Sequence, residues 1–441
     1  MSKKKEKTKS VNNFAIEEEK LDIPADQIWT YQIEGLQAPR IVERSVSVKT
    51  KVTLVIVLLV VISLSIAFSL GVVSNKEYKY DQIENGYELI KYTNVDNKLE
   101  VHADFIEGDT SKPITVLHEY AFNCDEKVQT LYIGKDVEKI DGKSIYSCWN
   151  LENVFVDDEN PNYCDIDGVL YNKDMTEIIY YPTAHNNALL RNELKKQGME
   201  LDLAGKGVTT DELSWAVKDL NLFAVQRNGD LTNPDDSVSW AKERLNTLMG
   251  KDMEKDPLDL KAFMDTYNDI AGYYVIPSTV TKINKLCFAY SDILAVYIPE
   301  GVTEMEFMAF FKAEKLAEVY SYTSDAPITT TVYGEAKAAM KTYKSLPEGL
   351  VKIGADCFTG DSNITYMYIP ATVTEIAHHA FHNTCVKGDD GSLGGISVMN
   401  IAKSEDDFKS STTAKESWVP KYYKGLFERS IDKNYSATRE Q

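Results

Sequence analysis

The first strong pattern along the chain is an apolar run from Val52 to Val73, VTLVIVLLVVISLSIAFSLGVV, without a charged residue. As a helix it reaches ~33 Å at ~1.5 Å per residue, enough to cross a hydrocarbon core of ~30 Å. The run is longer than a signal-peptide core and starts far from residue 1, so it predicts a retained signal anchor rather than a cleaved leader. Arg40, Arg44, Lys49 and Lys51 precede it, with Lys3, Lys4, Lys5, Lys7 and Lys9 upstream. After it, Lys76 and Lys79 are soon mixed with Glu77, Asp81 and Glu84. That Lys/Arg bias predicts a single-pass protein of the cell membrane with a cytoplasmic N-terminus and an extracellular C-terminal ectodomain.

Past the span, the apolar positions recur in phase. Ile276-Pro277, Ile298-Pro299, Leu346-Pro347 and Ile369-Pro370 each open a unit that runs on through Val280/Ile283, Val302/Met305 or Val373/Ile376 to Phe288, Phe310, Phe358 and Phe381. The step from 298 to 346 is close to two units, so the phase is expected to survive an irregular middle unit whose extra residues form a helix over 334–343. An earlier block has the same rhythm: Phe122, Val128, Leu131 and Ile133 return as Ile145, Leu151, Val154 and Val156. One such unit cannot bury a core alone, but stacked units can, each giving a short strand to a parallel sheet. The strands are expected at Thr130–Ile133, Asn153–Val156, Ala295–Ile298, Glu318–Ser321 and Tyr366–Ile369. Leu131 and Ile133 should point inward, and the prolines after Ile298 and Ile369 should end their strands.

The Ile-Pro-x-x-Val-x-x-Ile runs, Ala121-Phe122-Asn123-Cys124, and the stretch from Ile166 to Pro182 together resemble the BspA-type leucine-rich repeat family of bacterial and protist surface proteins. The last stretch looks like that family's inserted β-hairpin, with a turn near 172–175. The resemblance covers residues 95–183 and 273–403. It implies a surface protein that binds other proteins, cells or matrix, and it supplies no catalytic residues.

The expected class is therefore α+β: a leucine-rich-repeat solenoid with short parallel strands, interrupted by a helical insert, plus one N-terminal transmembrane helix. The segments are a cytoplasmic tail (1–51), the span (52–73), a juxtamembrane stalk (74–94), a first repeat block (95–183), the insert (184–272), a second block (273–403) and a C-terminal cap and tail (404–441). Within the insert, Thr209 and Thr210 before Asp211-Glu212 predict a capped helix with Leu213, Val217, Leu220 and Val225 on its apolar face. Two more helices are expected over 236–249 and 257–270, the latter with Pro257 in its first turn. The insert reads equally as spacer, lid or ligand site. Trp418, Tyr422, Tyr423, Leu426 and Phe427 are expected to cap the last repeat.

Charge narrows the partners. The formal net charge of -20 argues against nucleic acid, which requires clustered Lys and Arg. The outward position of each predicted strand is aromatic: Tyr132, Phe155, Tyr297, Tyr320 and Tyr368. In one phase they should form a stripe across the exposed sheet. That stripe is the candidate binding surface, although β-propensity and ladder packing explain it equally well. Cys287 and Cys357 share a repeat phase, and Cys124 and Cys148 nearly do, as buried thiols would; Cys164 and Cys385 complete the set, and free thiols are expected. His378, His379 and His382 flank a core Ala380-Phe381, no Glu or Cys completes a recognisable site there, and no metal is expected. Asp157-Asp158-Glu159-Asn160 and Asp389-Asp390-Gly391 read as turns rather than calcium loops. Nucleotide-loop, zinc-protease and nucleophile-elbow motifs are absent, so neither an enzyme nor a cofactor is expected. Two functions remain: a non-catalytic, adhesin-like module binding a protein or a cell-surface or matrix ligand, and a structural envelope protein that self-assembles or organises other membrane proteins.

Overall fold

The computed structural model describes residues 77–122, 127–146, 148–198, 203, 205–382, 384–387, 393–414, 418 and 432–439. The expected tail and span at 1–73 lie outside them, as do Tyr422, Tyr423, Leu426, Phe427, Cys124 and 389–391. Among the described residues no helix is long and apolar enough to cross a membrane.

Leucine-rich-repeat architecture, with short parallel strands and some helices, follows from the repeat phase. Strands Thr130–Ile133, Asn153–Val156 and Tyr366–Ile369 form as expected, with Leu131 and Ile133 each 1% exposed. Ala295–Pro299 and Glu318–Ser324 run slightly longer, so Pro299 ends its strand from within as the last residue. Glu100–Ala103, Thr130–Ile133 and Asn153–Val156 pair in parallel register. On the opposite wall, Phe288, Phe310, Phe358 and Phe381 stack nearly face to face, 4.9, 5.1 and 5.3 Å apart. Each is fully buried, worth roughly 1.5–3 kcal/mol of apolar transfer.

That wall repeats an unusual backbone choice. Two residues before the phenylalanine, Tyr120, Leu286, Met308, Asp356 and His379 all take left-handed φ near 54–64°. The turn aims the amide along the stack. Leu286, Met308 and Asp356 donate N–H bonds of 3.0, 2.9 and 3.2 Å to the Phe307, Ala355 and His378 carbonyls of the next coil. A left-handed non-glycine residue costs roughly 1–2 kcal/mol, which the ladder bond offsets.

Two expectations change. The 298–346 step is a single coil with an excursion rather than two units: Glu304–Met305 pairs directly with Lys352–Ile353, and Phe310 stacks on Phe358. Within the excursion, the helix expected over 334–343 shrinks to Tyr333–Ala336, and Met340–Tyr343 becomes a strand antiparallel to Glu318–Ser324. The Met-Lys-Thr-Tyr run alternates and pairs against an open edge, which overrides weak helix propensity. The second change lies in the stretch expected as a stalk. Tyr78–Ile83 and Gly86–Tyr92 form a hairpin whose second strand joins Ile114–Leu117. Leu89 and Tyr92 are buried in the first core, covering the end of the stack.

The insert does not separate the blocks. The expected hairpin forms from Val169–Asn172 and Glu177–Tyr180, preceded by a third strand, Tyr163–Ile166. Asp167 and Gly168, with φ of 52° and 88°, make the added turn, and a Cβ at Gly168 would meet Asn153 Oδ1 at 2.5 Å. Glu177–Tyr180 then pairs with Lys282–Ile283 across the insert. Leu170, Ile179 and Tyr180 fill the first core, while Val169, Tyr171, Ile178 and Tyr181 fill the second. The hairpin is thus the splice, and the helical segment is looped out beside it.

Among the described residues four α-helices build that segment: α1 (His185–Lys196), α2 (Thr210–Gln226), α3 (Ser239–Leu248) and α4 (Leu260–Tyr267). The expected cap of α2 is a reciprocal capping box between Thr209 and Glu212. Helix α3 follows a 3-10 turn at Asp236–Val238. Helix α4 starts later than expected because Asp259, rather than Pro257, caps it by accepting the Ala262 amide at 2.9 Å. It then passes into a π-helical turn, Asn268–Gly272. Helix α1 escapes sequence reading because its buried face includes His185, Asn186 and Asn187 beside Leu190 and Leu194. Arg191 ties α1 to Glu152 of the first block through bonds of 2.6 and 2.8 Å, and Asn186 donates to the Ala271 carbonyl at 2.7 Å.

Candidate functional site

The five aromatic positions do not form one stripe. Tyr132 and Phe155 lie directly opposite each other in the first-block sheet, rings 5.7 Å apart. His102 precedes them in the same register and lies flat on Tyr132 at 4.4 Å and 11°. His102 escaped the sequence reading because its unit is longer: the Val101-His102-Ala103 alternation sits 30 positions before Leu131-Tyr132-Ile133 instead of 23. The three rings form an open ladder, with His102 exposed and the other two half-buried.

In the second block the same phase is covered. Tyr297 stacks on Tyr320 at 4.9 Å, but Tyr333 from the excursion lies over it at 4.6 Å, leaving Tyr297 4% exposed. The Ser278 amide donates to the Ile328 carbonyl at 2.9 Å, and the Val275 amide to the Thr331 carbonyl at 3.0 Å, strapping the cover down. Val275, Ala295, Tyr297, Tyr322, Ile328 and Ala336 become a second core on what was expected to be the exposed face. Tyr368 belongs to another sheet, Tyr366–Ile369 with Val398–Ile401 and Asp432–Tyr435. It is 3% exposed, and its phase continues as Asn400 and Asn434, which hydrogen-bond each other at 3.0 Å. Nearby, the Arg439 guanidinium lies 3.5 Å over the Tyr343 ring.

The open ladder floors a cleft of about 720 Å³ whose rim carries Asp104, Asp136, Asp157, Asp158 and Glu159 against one cation, Lys135. The rim is held from below. Buried Asn160 donates to the Gly134 and Val137 carbonyls at 2.8 and 3.1 Å and accepts the Asn162 and Tyr163 amides at 2.8 and 2.9 Å. Asp157 accepts the Glu159 amide at 2.9 Å, the turn chemistry expected of that run. Apolar floor, acidic rim and rigid loop make a surface suited to an extended, cationic segment: ring faces attract ammonium and guanidinium groups, and carboxylates take their hydrogen bonds.

The remaining candidates are structural or lie elsewhere. Cys287 and Cys357 are reduced and fully buried, and burial pushes both thiols well above their usual range. Cys164 is reduced and half-buried, while Cys148 donates to the Phe122 carbonyl at 3.1 Å. Trp418 packs on Phe381 at 6.2 Å at the end of the stack, as a cap should. On the outer wall, the ligand atoms of His378 and His379 come within 4.8 Å of each other and of Asp356 from the preceding coil. Asp356 is distant from the histidines along the chain, so only the stacking of coils brings its carboxylate beside them.

Comparison with known proteins bears on the repeats. The profile described as "BspA type Leucine rich repeat region" matches six copies over residues 104–179 and 260–387. Similar solved structures include a leucine-rich repeat protein from Eubacterium ventriosum ATCC 27560, with 15% identity, TM-score 0.31, and 59% of this chain covering 47% of that one. This chain thus spans about half the length of that protein. The pneumococcal vaccine antigen PcpA is similar at 14% identity and TM-score 0.32, over 77% of this chain and 67% of that one. A leucine rich cell surface protein from Faecalibacterium prausnitzii A2-165 is similar at 13% identity and TM-score 0.31, over 78% and 97%. No curated protein matches the chain. Six repeat copies are recognised in the two blocks that the fold joins into one stack, so the chain carries BspA-type leucine-rich repeats in both.

Proposed function

We propose that this chain is a single-pass membrane protein whose extracellular leucine-rich-repeat solenoid binds other proteins without catalysis, in the manner of an adhesin. The observation that carries this reading is the open ladder of His102, Tyr132 and Phe155 under a five-carboxylate rim. Its ligand is an extended protein segment bearing Lys or Arg side chains. Rigid aromatic rings lose little entropy on contact and give interfaces much of their energy. Of the other aromatics offered on sequence grounds, Tyr297 and Tyr368 are buried, while Tyr320 stays half-buried beside Tyr297. Anchoring rests on the Val52–Val73 run and on the Lys and Arg before it.

The test compares capture from cell-surface and matrix extracts by the full chain and by a Tyr132→Ala/Phe155→Ala variant, quantified by mass spectrometry. Proteins held by the parent and lost at least tenfold from the variant support the reading, more so if raised salt releases them. An identical set from both sinks it. Capture of the chain's own copies alone favours the self-assembling envelope protein.

A further inference from the structure

Three of the six histidines fall within residues 378–382, on the outer wall of the second block and away from the aromatic ladder. We propose that Asp356, His378 and His379 form a transition-metal site of the zinc class that clamps two neighbouring coils together. Asp356 comes from one coil and both histidines from the next, so one ion would add a bridge to the backbone bonds and ring stacking that join these coils.

The geometry is close to assembled. The three ligand atoms lie within 4.8 Å of one another, and His379 Nδ1 is 3.8 Å from Asp356 Oδ1. Zinc holds nitrogen and oxygen at ~2.0–2.2 Å, which puts tetrahedral ligands ~3.4 Å apart. Side-chain rotation has to close that difference, and His378 is exposed. The other two ligands are pre-positioned by the backbone. Asp356 and His379 occupy the same left-handed turn position in successive coils, φ 54° and 58°, and the Asp356 amide donates to the His378 carbonyl at 3.2 Å. A supporting partner is also present. The Thr359 hydroxyl lies 3.1 Å from Asp356 Oδ1 and 2.7 Å from the His379 backbone carbonyl and can donate its one proton to either. Two imidazoles and one carboxylate select zinc, nickel or cobalt over calcium or magnesium, which take oxygen. The His382 ring lies 4.6 Å from that of His379.

The test titrates tag-free full-length chain with Zn²⁺ by calorimetry and with Co²⁺ by visible absorption. The disrupting variant is His378→Gln/His379→Asn, because asparagine tolerates left-handed backbone; the control is His118→Gln, an exposed histidine elsewhere. We expect one Zn²⁺ per chain, at least tenfold weaker binding in the double variant, and no change in the control. Bound Co²⁺ should show a nitrogen/oxygen spectrum without thiolate charge transfer. Circular dichroism and melting without metal verify that the variant folds. Absence of saturable binding in the parent, equal binding by the double variant, or a thiolate band in the Co²⁺ spectrum each overturns the proposal.

Discussion

Two stretches of sheet in this protein carry aromatics at the same repeat phase and use them in opposite ways. In the first block, Tyr132 and Phe155 stand over an open cleft with an acidic rim. In the second, Tyr297 lies beneath Tyr333 and Ile328 as part of a closed core. The strands of both blocks run parallel within their sheets, those of the second block being slightly longer. What differs is the chain between them: the first block turns tightly through 157–162 under Asn160, whereas the second sends residues 325–345 back across its own face. In a repeat protein, then, the phase of a residue fixes which way it points, but the loops decide whether that direction leads to solvent.

Four substitutions break or sharpen this contrast. The largest effect is expected in the phenylalanine stack of the second block. Phe310→Ala, between Phe288 and Phe358, should cost about 4–5 kcal/mol in denaturant unfolding. Next comes the covered face, where Tyr297→Ala should cost about 3–4 kcal/mol, measured the same way, because it empties a site packed by two rings. A cost under about 1 kcal/mol would mean that the cover is open in solution.

The third prediction concerns pH. Asp361 stands where Ser291, Ala313 and Thr384 stand in neighbouring coils, fully buried, and the Ala313 amide faces its carboxylate without closing a hydrogen bond. Burial pushes its carboxyl well above the usual carboxylate range. The folded chain therefore keeps a proton that the unfolded chain releases near pH ~4. The stability this contributes is complete below that pH and is lost as pH rises towards the folded-state value. Asp361→Ser should flatten this slope and raise stability by about 1–2 kcal/mol at pH 7, read from melts across pH 4–8. The smallest stability effect belongs to the open face. Tyr132→Ala should cost about 1 kcal/mol or less while abolishing the capture described above, the reverse of Tyr297→Ala.

The parts of this picture that the sequence revealed are those governed by local rules. The strand positions, the inward Leu131 and Ile133, the phenylalanine wall, the hairpin turn and the Thr209 cap each depend on a few neighbouring residues. What escaped depended on distant pairing. Nothing near Met340 announces that it will lie against Ser324, and nothing near Tyr297 announces Tyr333. His102 was hidden by a longer unit, and helix α1 by the polar residues on its buried face. Asp356 joins the histidines only through the stacking of coils. The binding face was therefore half legible: its residue type and phase could be read, but not which members of the series remain open.

The most direct test is hydroxyl-radical footprinting of the full chain, read residue by residue with mass spectrometry. Tyr132 and Phe155 should be oxidised several-fold faster than Tyr297 and Tyr368, and bound partner should slow only the first pair. Equal rates at Tyr132 and Tyr297 would contradict the account, because the two faces would then be equally open and the loops would not be what separates them.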